Sequence, residues 1–79
     1  MRYANASFAF MVNADMRWTE LSNADLSHAN LSGADLSHTA LGYAHLEGAD
    51  LKHAKGLTKS HLEKAKTNEY TLLPADLPP

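Results

Sequence analysis

Five histidines, at positions 28, 38, 45, 53 and 61, are the side chains here best suited to holding a metal or moving a proton. Zinc needs three or four ligands converging on one point. These five are spread over different sides of the coiled chain, and neither a metal nor a cofactor is expected. Asp25, Ser27 and His28, copied as Asp35, Ser37 and His38, supply the residue types of a hydrolytic triad. Adjacent Ser and His follow from repetition alone, and a continuous convex surface offers neither an oxyanion pocket nor a buried orienting carboxylate. The expectation is therefore that the chain is not an enzyme. Gly33, Gly42, Gly48 and Gly56 stand apart and make no phosphate loop.

The element that must position these residues has a period of five. Alanine stands at 4, 9, 14, 24, 29, 34, 44, 49 and 54, with Thr19 and Thr39 in the two remaining slots. Two residues after each slot comes a central apolar residue: Ala6 first, then Met11, Met16, Leu21, Leu26, Leu31, Leu36, Leu41, Leu46 and Leu51. On an α-helix five residues rotate the stripe by about 140°, so no apolar face persists. On a strand an odd period flips each successive Leu to the opposite face. The chain must turn once per repeat. Within a short extended segment, the small slot and the following large slot point the same way, so both rows can face one interior.

Ala24-Asp25-Leu26-Ser27-His28 and Ala29-Asn30-Leu31-Ser32-Gly33 show the pattern most cleanly. It resembles the pentapeptide repeat family, whose signature is A(D/N)LXX, over ten successive repeats at residues 4–54. The resemblance implies an all-β fold, a short right-handed quadrilateral β-helix with one repeat per side and twenty residues per coil. Thr19 and Thr39 lie one such interval apart. The interior columns are then Ala6–Leu26–Leu46, Met11–Leu31–Leu51, Met16–Leu36 and Leu21–Leu41. The same interval sets His45 over Asp25, His38 over Trp18, and His28 towards Gly48.

The repeat clock stops at Gly56, with the next apolar residue, Leu57, one position late. The coil is expected to end there, dividing the chain into a β-helix at 1–56 and a capping helix with an extended tail at 57–79. Thr58 is a good N-cap, and Leu57 can pair with Leu62 as a hydrophobic staple. Ser60 to Glu63 offers an alternative capping box. A short helix through about Lys66 would lay Leu62 and Ala65 over the last coil, leaving Leu72, Leu73 and Leu77 available to pack. At the other end Phe8, Phe10, Val12 and Trp18 occupy positions that should face solvent. They are read as a partner-binding or dimer surface, with folding back of Met1, Arg2 and Tyr3 as the alternative.

Net charge is −2, with −3 over residues 1–54 and +1 over residues 55–79. Neither part is basic enough for a nucleic-acid footprint. No apolar run approaches the roughly 20 residues of a membrane helix, and cysteine is absent, excluding disulfides and thiolate-bound zinc. The expectation is a cytoplasmic, non-enzymatic protein–protein interaction scaffold that is homodimeric through its N-terminal coil and binds no nucleic acid or membrane. The resemblance supplies the alternative: some pentapeptide repeat proteins mimic B-DNA in shape and charge and protect DNA gyrase. Asp15 and Asp35 would carry that mimicry here, diluted by Arg17, Lys52 and the histidines.

Overall fold

The computed structural model describes residues 5–75. Its backbone is a coil of parallel bridges twenty residues apart, stretching to 21 and 22 in the last two, arranged in four columns. Asn5, Asp25, His45 and Lys66 form the first column, and Phe10, Asn30, Asp50 and Leu72 the second. Asp15, Asp35 and Lys55 form the third, and Glu20 and Ala40 the fourth. The residue between the small and central slots makes the bridge. Its N–H donates to a carbonyl of the preceding coil, and its carbonyl accepts from that coil's central N–H, as in Asn30 N–H to Ala9 O (2.8 Å) and Met11 N–H to Asn30 O (2.8 Å).

The turn demanded by the period is a four-residue corner closed by a hydrogen bond from each slot N–H to the preceding central carbonyl, as in Ala29 to Leu26 at 3.1 Å. Its third residue has positive φ in nine successive corners, from Phe8 to Gly48. That conformation with the closing bond defines a type II turn. Asn, Gly and His fill six of those nine places, residue types that enter the left-handed region most readily. Two of every five residues are spent in the turn, so each side pairs through one residue. Among the described residues the ladder consists of isolated bridges rather than extended strands.

The interior is built from Met16, Leu21, Leu26, Leu31, Leu36, Leu41, Leu46 and Leu51 with Ala24, Ala29, Ala34, Ala44 and Ala49, all buried. Met11, expected in that row, is only partly buried, together with Ala6, Ala9 and Ala14, because its coil has a packed neighbour on one side among the described residues. Thr39 replaces alanine in the buried row without stranding its hydroxyl, which donates to Met16 O at 2.7 Å.

Past Gly56 the structure departs from expectation. The coil does not end: His45 bridges Lys66 and Asp50 bridges Leu72, with one and then two extra residues absorbed at the corners. Gly56 has φ +73°, and Leu57, one residue late, is buried. The helix, α1, spans Lys59–Leu62 rather than reaching Lys66. It stops early because the chain is drawn back into the ladder, with Lys64 O accepting from Tyr43 N–H (3.1 Å) and Lys66 N–H donating to Ala44 O (2.8 Å). It lies along the fourth side of the third coil, where a bridge would otherwise form, and does not lie as a lid across the end.

Thr58 caps α1 in a capping box whose third helical residue is His61; the Ser60 to Glu63 box does not form. Leu62 and Ala65 pack partly buried against the core. Leu72 and Leu73 remain exposed although Leu72 pairs through its backbone, and Pro74, which carried no expectation, is buried. Met1, Arg2, Tyr3 and Leu77 lie outside the described residues.

Candidate functional site

Each acidic or amide residue on a bridge column has a structural task at its own corner. Asp25 Oδ1 accepts from Ser27 N–H (3.0 Å) and Ser27 Oγ (2.6 Å), and Asp35 does the same with Ser37 at 3.0 and 2.7 Å. Asn5, Glu20, Asn30 and Asp50 repeat the arrangement towards the N–H two residues on. These are side-chain turns that secure the corner. The bonds favour the ionised carboxylate, so the serine hydroxyl first and its N–H second hold Asp25 and Asp35 below the usual range. Asp15 is lowered to about 2, because Arg17 grips both its oxygens at 2.9 Å.

The triad residues therefore do not form a relay. The Ser27 hydroxyl donates its hydrogen bond to Asp25, while the His28 ring stacks on Phe8 with centroids 5.0 Å apart. His28 also lies across Gly48, where an added Cβ would fall 2.5 Å from Nδ1. His38 stacks on Trp18 at 4.0 Å and 8° between planes. The His45 ring approaches Glu47 Oε2 at 3.4 Å, although its backbone bridges Asp25. His53 lies on an exposed corner beside Lys52 and Lys55. Among the described residues no cluster of three potential metal ligands forms.

His61 is held differently. Its Nδ1 accepts from Thr58 N–H at 3.1 Å, which requires a ring unprotonated at that atom. Burial, then the neighbouring His38, lowers its pKa below the ordinary histidine value.

The four apolar residues of the first coil are all on the surface. Phe8 is 74% exposed, Phe10 80% and Trp18 76%, with Val12 at the margin. Phe8 and Trp18 each cover one ring face with a histidine; Phe10 has no ring partner among the described residues. The backbone N–H and C=O of Phe10 and Asp15 likewise have no backbone partner among those residues. Among the described residues the bridge that pairs two acidic residues is Asp15–Asp35, and Arg17 sits 2.9 Å from the first and 4.0 Å from the second.

These features define a repeat coil whose outward side chains are mostly occupied in building their own corners. The pentapeptide repeats pattern matches residues 1–37 and 29–66 in eight copies, and the chain belongs to that family. No curated protein matched the chain. Among the described residues no helix is long and apolar enough to cross a membrane.

Proposed function

We propose that the chain is a right-handed quadrilateral β-helix working as a non-enzymatic interaction scaffold, with Phe8, Phe10, Val12 and Trp18 as its contact surface. The observation that carries this reading is the grouping of four exposed apolar side chains on one coil, beside a core layer of Ala6, Ala9, Met11 and Ala14 that is only half-covered. Clustered apolar surface of this kind marks sites of protein contact. Backbone at Phe10 and Asp15 that is unpaired among the described residues adds directional bonding to the same edge. The partner we favour is a second copy of the chain, joined coil to coil across a two-fold axis. Sedimentation of the wild type against Phe10→Lys/Trp18→Lys tests it, a monomer in both being the adverse result.

The second reading, mimicry of DNA towards gyrase or topoisomerase, draws on the Asp15–Asp35 bridge. Arg17 neutralises part of that pair, which disfavours it. Supercoiling inhibition that rises with protein and disappears on reversing Asp15 and Asp35 to lysine would promote it over the scaffold.

A further inference from the structure

One repeat is chemically incomplete. In every other repeat whose central residue lies between Ala6 and Leu51, that residue donates its N–H to a following segment: Leu36 to Lys55 O, Leu46 to Lys66 O and Leu51 to Leu72 O, each at 2.7 Å. Leu41 N–H has no such partner among the described residues, because α1 replaces the bridge that would pair with Ala40. Thr39 O, which would accept from the same bridging residue, is likewise without a partner among the described residues. Gly42 N–H lacks one for a second reason. Most of its counterparts bond an acid or amide side chain two residues earlier, as Ser27 bonds Asp25 and Lys52 bonds Asp50; Ala40 has no such oxygen, as Phe10 and His45 have none for Val12 and Glu47.

Beside these groups lies a cavity of about 320 Å³ lined by Thr39, Leu41, Gly42, Ser60, His61, Glu63 and Lys64. Leu41 and Thr39 are buried, so their polar backbone groups need partners. We infer that this slot binds the C-terminal residue of an extended peptide from a partner protein, through one parallel bridge and its free carboxylate. The terminal residue's N–H donates to Thr39 O, and its carboxylate accepts from Leu41 and Gly42 N–H. This reproduces the bonds Lys55 makes one column earlier, where its N–H meets Ala34 O and its carbonyl meets Leu36 N–H.

Polarity and volume both favour a chain end over a passing strand. A parallel bridge directs the peptide from His38 towards Tyr43, and Lys64 stands at that corner, its carbonyl bonded to Tyr43 N–H. The unbonded N–H groups of Leu41 and Gly42 against one carbonyl, with Lys64 lining the same space, call for an acceptor-rich ligand. The cavity is at the small end of the roughly 300–1,000 Å³ usual for ligand sites. Glu63 is the opposing charge and limits affinity.

The test is an amide NMR titration of the full chain with N-acetyl-trialanine, its C-terminal amide, and sodium acetate. The expected result is saturable movement of the Leu41 and Gly42 amides with the free acid, and binding about tenfold weaker with the amide. Lys64→Gln should weaken the acid further and Glu63→Gln should tighten it, both with an unchanged melting temperature. No movement at Leu41 and Gly42 overturns the site. Equal response to the amide overturns carboxylate capture, and an equal response to acetate reduces the slot to a simple anion site. The Phe10→Lys/Trp18→Lys chain should bind the acid as the wild type does, so failure of the coil-to-coil reading leaves this one separately measurable.

Discussion

At the residue scale, inward and outward positions should respond in opposite ways to substitution. Leu31 is buried at 1% exposure, so Leu31→Asp places an unpaired charge inside and should unfold the chain, whereas His28→Ala should cost only the Phe8 stack, about 0.5–1.5 kcal/mol. Denaturant titration separates the two, and equal losses would overturn the phase assignment. The glycines sharpen the same test. Gly48 has φ +71° and the His28 ring against its α-carbon, while Gly42 is outside the left-handed region with its nearest neighbour 4.0 Å from an added Cβ. Gly48→Ala should therefore destabilise by about 1 kcal/mol or more and Gly42→Ala should be near neutral or slightly stabilising. The inward row was legible because slot and central residue are two apart in extended backbone. The aromatic–histidine stacks follow once twenty residues per coil is granted, since that register superposes Trp18 and His38. The corner role of the aspartates was not legible, because an acid bonding its own backbone neighbour has the same sequence signature as a solvated charge.

At the element scale, α1 has a titratable cap. His61 replaces the usual Glu or Gln of a capping box, and its ring must stay unprotonated at Nδ1 to accept Thr58 N–H. Its pKa is lowered in the fold, so the folded state binds its proton less readily than the unfolded chain. The stability it contributes is fully present above the ordinary value near 6.5 and is lost as pH falls through the lowered folded value. Protection of the His61 and Glu63 amides should decline over that window well before the coil unfolds, and His61→Gln should remove the dependence. A pH profile identical in wild type and variant would show that the cap does not titrate. The lowered carboxylates act at more acid pH: Asp15, Asp25 and Asp35 support the corners above the ordinary carboxylate range and release that support as pH falls through their depressed values, near 2 for Asp15. The cap itself could be read from Leu57, Thr58 and Leu62. The return of the coil after it could not, because one and then two extra residues at the corners erase the period that would have announced Lys66 and Leu72.

At the scale of the whole molecule, the two sides of the core are unequally covered. Leu51 is fully buried, with coil continuing past it through Lys66 and Leu72, whereas Met11 is only partly buried on the coil that carries the exposed Phe8, Phe10, Val12 and Trp18. A solenoid repeat buries its apolar face only against a neighbour, so the first described coil gains most from contact with another chain. Two such coils meeting across a two-fold axis would cover both half-exposed layers and bring both apolar rims together. The expected species at tens of micromolar is a dimer of about 17 kDa, twice the 8.6 kDa of one chain. Phe10→Lys with Trp18→Lys should convert it to monomer and lower its melting temperature, through lost contact and through loss of the Trp18–His38 stack. His38→Ala removes that stack while sparing the apolar rim, so it separates the two effects: it should lower stability slightly and leave the dimer intact. A wild-type chain that sediments as a monomer at high concentration, with Trp18 fluorescence unaffected by dilution, would remove the second copy as the partner of this coil.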